Sequence, residues 1–307
     1  MHFDGRRYFN PDGSRVRGWR DFLRWKLTSR PEPSPRFITD VEPSRPPKHV
    51  EGHELRITLI NHSTVLLQQG GLNILTDPIW SERAGPLGLF GPRRRRKAGV
   101  RWEDLPRIDA VLLSHNHYDH LNLATLRRVA ERGQCQFIVP LGLSGFLRSR
   151  RIGPVHEMDW GESLSLGQVR VHGVPAIHFS GRGFFDRNRT LWCGYVIEAA
   201  GRVIYFAADT AFGEHFALIR ERFGPARLAL LPVGAYEPRW FMSPVHMGPE
   251  QAVQAHEILA AQTSIAIHHG TFQLGDESVD TPKERLRACA PGDSFLVLAN
   301  GESVTLR

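Results

Sequence analysis

Ser114-His115-Asn116-His117-Tyr118-Asp119-His120 places three histidines and one carboxylate within six residues, His115 to His120. The run follows Ile108-Asp109-Ala110-Val111-Leu112-Leu113, an apolar stretch that reads as a buried β-strand. Imidazole and carboxylate gathered at one strand end are suited to metal cations. In extended backbone, alternate side chains share a side, so His115, His117 and Asp119 point together and His120 turns elsewhere. The spacing predicts two cations on one loop, with His115 and His117 on the first and Asp119 and His120 on the second. These ligand types accept zinc, iron or manganese, and a catalytic centre keeps one position open for water.

At 307 residues and 41% hydrophobic composition, the chain can build one large α/β domain or two small ones. No stretch approaches about 18 uninterrupted apolar residues, so no transmembrane helix is expected. The start, Met1-His2-Phe3-Asp4-Gly5-Arg6-Arg7, lacks the apolar core of a signal peptide. Cys135, Cys193 and Cys289 form no Cys-x-x-Cys pair, which predicts buried thiols in a reducing compartment. A cytoplasmic protein is expected, with membrane association at its surface as the variant. The net charge of +7 is carried almost wholly by arginine, since lysine occurs only at Lys26, Lys48, Lys97 and Lys283. The planar guanidinium fork suits phosphate, so an anionic substrate or surface is expected.

Residues 1–52 are polar and proline-rich, with Pro31, Pro33, Pro35, Pro43, Pro46 and Pro47. They read as an extension packing on a main domain of residues 53–307. Inside the extension, Trp19, Phe22, Leu23 and Lys26 fall at helical spacing. This predicts a short helix docked on the main domain, with a membrane-surface helix as the alternative. In the main domain, strands are expected at 55–60, 63–68, 72–76 and 111–114, with a turn at Gly70-Gly71. Asn122 caps a helix over 123–132 that stops at Gly133. Further strands are expected near 168–177, 191–198, 202–208, 228–233, 264–268 and 295–299, and helices at 213–223 and 249–261. No internal repeat and no glycine-rich phosphate loop is visible, and the alternation predicts a layered α/β fold.

A two-cation site needs more ligands, and loops at one edge of a sheet are where they converge. His178, Asp209 and His268 each close a predicted strand. They complete a set: His115, His117 and His178 on one cation, Asp119, His120 and His268 on the other, and Asp209 between them. His269 adjoins His268 and competes with it for the role. Two cations about 3.5–4 Å apart can share a water and bring its pKa towards ~7, and Asp119 and Asp209 can orient it. Neutral histidines leave the pair positive, which favours a phosphoryl group or an oxyanion. Gly91-Pro92-Arg93-Arg94-Arg95-Arg96-Lys97 adds five consecutive cations that could hold anionic head groups or nucleic acid. Arg94, at the centre of that run, is the candidate substrate contact there.

The His-x-His-x-Asp-His motif, with the spaced His178, Asp209 and His268, resembles the metallo-β-lactamase superfamily. That resemblance implies a four-layer αβ/βα sandwich with a dinuclear site, zinc first, at one edge of two sheets. It selects His268 over His269. Within the superfamily the chain is similar to the N-acylphosphatidylethanolamine-hydrolysing phospholipase D family. Asn61-His62-Ser63-Thr64-Val65-Leu66, Gly71 through Ile79, Gly234-Ala235-Tyr236-Glu237-Pro238-Arg239-Trp240-Phe241-Met242 and Ala266 through Phe272 carry the similarity. It implies a phosphodiesterase of lipid metabolism in which a metal-bridging hydroxide attacks phosphorus. It also implies an active-site role for His246 beside the substrate phosphate, an outer-sphere role for Asp77, and substrate contacts at Tyr236 and Trp240. Departures at His269, around His178 and throughout the N-terminal region bear on lipid specificity. Expected partners are a phospholipid or other anionic ester, a peripheral membrane contact and a second copy of the chain. Nucleic acid is not favoured, because the extra domain of many superfamily nucleases has no counterpart here. The alternatives are hydrolysis of a lactone, thioester, phosphodiester metabolite or RNA, or a metal-bearing binding or envelope protein without turnover.

Overall fold

The computed structural model describes residues 2–183, 185–290 and 292–307. A helix, α1 (Trp19–Thr28), precedes the sheets. Strands β1 (Leu55–Asn61), β2 (Thr64–Gln69) and β3 (Leu72–Thr76) form an antiparallel meander. Gly70 and Gly71 make the β2–β3 turn at φ 57° and 77°, a region side chains resist. β4 (Ala110–Leu112), β5 (Gln136–Pro140) and β6 (Val155–Met158) then add in parallel. Parallel neighbours require crossovers, supplied between these strands by α2 (Leu123–Glu131) and α3 (Ser144–Arg148).

The second half repeats the pairing. β7 (Ser163–Leu166), β8 (Val169–Val174), β9 (Gly194–Ala199) and β10 (Arg202–Phe206) are antiparallel neighbours. β11 (Ala226–Pro232), β12 (Thr263–Ile267) and β13 (Phe295–Leu296) add in parallel. Their connections hold α4 (His215–Phe223), α5 (Arg239–Met242), α6 (Pro249–Ile258) and α7 (Thr281–Cys289). β14 (Ser303–Leu306) returns to pair with β1. The sheet orders are β14-β1-β2-β3-β4-β5-β6 and β13-β12-β11-β10-β9-β8-β7. Backbone pairing therefore repeats where the hydropathy pattern showed no repeat.

The two sheets face each other across a core that includes Leu59, Leu67, Leu112, Ile138, Tyr195, Ile197, Phe206, Leu230 and Ile267. Leu126, Val129 and Leu147 from α2 and α3 cover the outer face of the first sheet, against Val111, Phe137 and Val139. Phe216, Ile219, Ala252, Ala255 and Leu286 from α4, α6 and α7 cover the second, against Tyr205, Ala229 and Leu231. The architecture is the expected four-layer αβ/βα sandwich. β4 shows why its sequence is apolar throughout: Ala110 and Leu112 enter the inter-sheet core, while Val111 enters the helix-covered one. Each such leucine or valine contributes roughly 1.5–3 kcal/mol by burial.

Several elements depart from expectation. The sequence pattern does not announce β5, β6, β7, β14, α3, α5 or α7. β6 is four residues long with its two central residues exposed, and α7 buries only Pro282 and Leu286, so neither carries a readable period. In α1 the buried residue is Trp25, whose ring stacks on Phe241 at 4.9 Å while its Nε1–H donates to Asp276 Oδ1 at 2.9 Å. The predicted Trp19, Phe22 and Leu23 stripe stays exposed because these partners lie beneath position 25.

The basic run is not a continuous patch. Arg94 and Arg96 are buried, as alternation along an extended segment requires. Arg94 donates to the carbonyls of Ser81, Ile79 and Arg96, and Arg96 pairs with Asp40 and Asp280. The substrate contact expected of Arg94 is replaced by a bracing role, since its donors are engaged and its side chain is shielded.

Candidate metal centre

The loops following β4, β8, β10 and β12 meet at one sheet edge. After β4, the chain turns so that His115, His117, Asp119 and His120 converge within one short loop. His115 Nε2 and His178 Nε2 lie 2.8 and 3.2 Å from His117 Nδ1, and these three residues form one group with metal-ligand spacing. Asp119, His120 and His268 form a second such group together with His62. His120 Nε2 and His268 Nε2 lie 3.2 and 3.4 Å from Asp119 Oδ2.

Asp209 stands between the groups. Its Oδ2 is 3.2 Å from His120 Nε2 and 3.1 Å from His268 Nε2, and it is 3.7 Å from His178 Nε2 and 4.0 Å from His115 Nε2. His246 Nδ1 is also 4.0 Å from this oxygen. Asp209 Oδ1 and His246 Nδ1 are buried with no hydrogen-bond partner among the described residues, and the buried His120 Nε2 and His268 Nε2 face the same two carboxylates. Polar atoms left this way in a dry pocket are costly unless something binds them. The donor set therefore fits two divalent cations, with nitrogens and carboxylate oxygens spaced as ligands of a common ion.

Asp77 organises the loop from behind. Its Oδ1 accepts from the Ser114 N–H at 2.8 Å, and its Oδ2 accepts from Ser114 Oγ–H at 2.6 Å and from His120 Nδ1–H at 2.7 Å. With its hydroxyl proton given to Asp77, Ser114 Oγ accepts from His115 Nδ1–H at 2.8 Å. One carboxylate thereby engages Nδ1 of two histidines, directly and through Ser114, and turns both Nε2 atoms to the cluster. His178 reaches the same state by donating Nδ1–H to the Val245 carbonyl at 2.9 Å. Asp77 sits at φ 33°, Ala208 at 54° and His268 at 60°, so the edge is built partly from left-handed backbone. Gly234 is needed beside it, since a Cβ there would strike the His268 carbonyl oxygen.

The charge distribution divides the cluster. Burial, helped by the neighbouring histidines, holds His115 well below its ordinary value. Burial likewise pushes His117 down to about 3 and His178 to about 4. Burial also depresses His268, but Asp209 and Asp119 outweigh it and raise the imidazole to about 9. Burial would raise both carboxyls, yet the His120 charge and hydrogen bonds from the surrounding imidazoles hold Asp119 and Asp209 well below the carboxylate range. Burial holds His246 well below its ordinary value as well, which keeps it neutral near pH 7.

Other expected residues lie further out. Tyr236 is buried, and burial pushes its hydroxyl up to about 12. Trp240 is half-exposed, with the Arg24 guanidinium over its ring at 4.9 Å. His269 turns away into a polar cavity of about 110 Å³ shared with Arg96, Asp280 and Lys283. Sequence reasoning passed over His62, which follows β1 and lies with its Nε2 3.0 Å from Asp119 Oδ2. The rule that singled out His178, a histidine closing a strand, would have found it.

A family model described as the beta-lactamase superfamily domain matches residues 72–269. The chain is 38% identical over 242 residues to N-acyl-phosphatidylethanolamine-hydrolyzing phospholipase D 1 of Caenorhabditis elegans, covering 75% of this chain and 68% of that protein. It is 39% identical over 252 residues to an uncharacterized protein of Mycobacterium tuberculosis, covering 80% and 67%. The isothiocyanate hydrolase from Delia radicum gut bacteria superposes with a TM-score of 0.66 at 22% identity, covering 81% of this chain and 98% of that one, a likeness of fold. With its two-sheet sandwich and buried histidine–aspartate centre, the chain belongs to the metallo-β-lactamase superfamily.

Proposed function

We propose that this metal-dependent hydrolase is a phosphodiesterase of phospholipase D type acting on N-acylphosphatidylethanolamine or a related phospholipid. The observation that carries the substrate is the 38% identity, over 75% of the chain, to the Caenorhabditis elegans phospholipase D. His115, His117 and His178 would hold one cation, Asp119, His120 and His268 the other, and Asp209 both. When bound, two divalent ions supply an acidified water and a positive field for the phosphoryl oxygens.

The chain's own groups do the rest. Asp209 and Asp119 carboxylate oxygens orient the water and accept its hydrogen bonds. Water oxygen bonds to phosphorus as the phosphorus–oxygen bond to the N-acylethanolamine breaks, and one proton of the water passes to the leaving oxygen, giving phosphatidate and the free alcohol. His246, beside Asp209 and neutral, donates a hydrogen bond towards the leaving oxygen.

The surface supports a lipid substrate. No helix among the described residues is long and apolar enough to cross a membrane. Trp19, Leu23 and Leu27 instead form an exposed stripe at four-residue spacing on α1, between Arg20, Arg24 and Lys26. Apolar side chains flanked by cations suit peripheral contact with an anionic bilayer. The test is incubation of metal-loaded protein with vesicles containing N-acylphosphatidylethanolamine, with products identified by mass spectrometry. Phosphatidate and N-acylethanolamine, absent with Asp209→Ala, are expected. Release of fatty acid or diacylglycerol, or turnover of a lactone or thioester in place of the phospholipid, would sink the proposal.

A further inference from the structure

β8 ends at Val174, yet the chain stays largely buried through Ala176, Ile177, His178 and Ser180 as irregular backbone. Buried amide hydrogens outside a sheet need partners from elsewhere. Ile177 N–H donates to Thr210 Oγ1 at 3.0 Å and Ser180 N–H to Asn188 Oδ1 at 3.3 Å. His178 N–H donates to Asn10 Oδ1 at 2.9 Å. Asn10 is 168 residues away, in an arm that precedes α1 and lies outside the residues matched by the family model.

The arm is held along its length. Tyr8 N–H donates to the Asn188 carbonyl at 2.8 Å, and Asn188 Nδ2 donates back to the Tyr8 carbonyl at 3.2 Å. Arg187 donates to the Arg17 carbonyl at 2.6 Å, and Arg17 Nε to the Trp240 carbonyl at 3.2 Å. Asn10 itself is 5% exposed. Its Oδ1 also accepts from Trp192 Nε1–H at 3.1 Å, while its Nδ2 donates to Ser14 Oγ at 3.2 Å. Two donors meeting one oxygen fix the amide's orientation, because a flipped amide would set its NH₂ against both.

We propose that Asn10 is a positioning residue of the metal centre, through which the N-terminal arm sets the reach of His178. The histidine is then held at two points. Asn10 pins its backbone and the Val245 carbonyl pins Nδ1–H, which leaves Nε2 facing His117. Loss of the first point frees the segment after β8 to swing Nε2 away from the first cation. The inference rests on the reading of His178 as a ligand of that cation.

The experiment compares full-length Asn10→Ala and Asn10→Asp with the unmodified chain. Zinc content is measured by mass spectrometry after dialysis against graded chelator, and cobalt-loaded protein is followed by absorption. Asn10→Ala is expected to release one of two ions at about tenfold lower chelator concentration, the scale of an outer-sphere partner, and to alter the cobalt spectrum. The other ion is expected to be unaffected. Asn10→Asp keeps an acceptor oxygen and is expected to retain both ions.

Retention of both ions by Asn10→Ala, their joint loss, or equal weakening in Asn10→Asp would each overturn the proposal. Should Asn10→Ala fail to fold, Ser14→Ala decides. It removes the Oγ acceptor of Asn10 Nδ2 and leaves only the longer bond to the Ser14 carbonyl at 3.4 Å, so a smaller selective weakening of the same ion is expected and no change refutes the idea. His178→Ala separates the underlying reading: if that variant keeps both ions, the ligand assignment fails rather than the role of the arm.

Discussion

The two halves of the molecule share a strand-pairing pattern and use it differently. In the second sheet, β8 and β10 take the places that β1 and β3 hold in the first; β8 leads to His178 and β10 to Asp209, whose side chains approach to 3.7 Å. In the first half, β1 leads to His62 and β3 to Asp77. His62 lies within the second group beside Asp119, and Asp77 holds His120 and Ser114. The first half instead concentrates its candidate ligands on the loop after β4. Equivalent strand ends therefore bring histidine and aspartate to the same edge in both halves, with different partners in each.

The largest effect is expected where the halves meet. Asp209 Oδ2 approaches histidines of both groups, so Asp209→Ala should lose both ions and more than about 100-fold in turnover, beyond the range of an outer-sphere change. Metal content and hydrolysis rates check this, and a variant still holding one tight ion would show the two groups to be independent. Its counterpart Asp77 should behave differently. Asp77→Asn keeps the shape but makes poorer acceptors for Ser114 and His120, and a loss of roughly 10–100-fold in metal affinity is expected. A loss as large as that of Asp209→Ala would erase the distinction.

pH should separate the two groups of histidines. His117 near 3 and His178 near 4 carry no proton between pH 6 and 8, so uptake by the first group should change little there. His268, raised to about 9, holds a proton below that value in the metal-free chain. Against burial, Asp209, Asp119 and Asp77 raise His120 well above its ordinary value, so it holds a proton too; a cation entering the second group displaces both, and affinity should rise by more than tenfold per pH unit between 6 and 8. Zinc titrations at pH 6, 7 and 8 read this directly, and two parallel curves would remove the asymmetry. The smallest effect is expected at His62. His62→Ala should weaken the second ion by less than about tenfold, with the first unchanged, because it removes one hydrogen bond to Asp119. Differential chelation measures it, and loss of the ion outright would make His62 a ligand.

Much of the centre was legible because its chemistry is local. His115 to His120 lie in one loop, and a strand ending in an ionisable residue is a short-range pattern that exposes His178, Asp209 and His268. The apolar runs of β1 to β4 and β8 to β12 announced a layered α/β fold by the same reasoning. The Arg93–Lys97 stretch looked like a cationic surface because composition records charge and not direction. The backbone turned Arg94 and Arg96 inward and gave each a set of oxygen acceptors. Trp25 in α1 was missed for a related reason, since its partners Phe241 and Asp276 lie more than 200 residues away.

The sequence by itself determined which donors the centre has and that they suit divalent cations, because ligand chemistry belongs to residue type. Only the tertiary structure decided which of them meet in each group. His62 and His178, or Asp77 and Asp209, are the same side chains at equivalent strand ends. Their partners differ because the packing of one sheet against the other, with Asn10 of the arm bonded to the His178 backbone, sets what each meets. Those contacts join residues far apart in the chain, and no local periodicity encodes them.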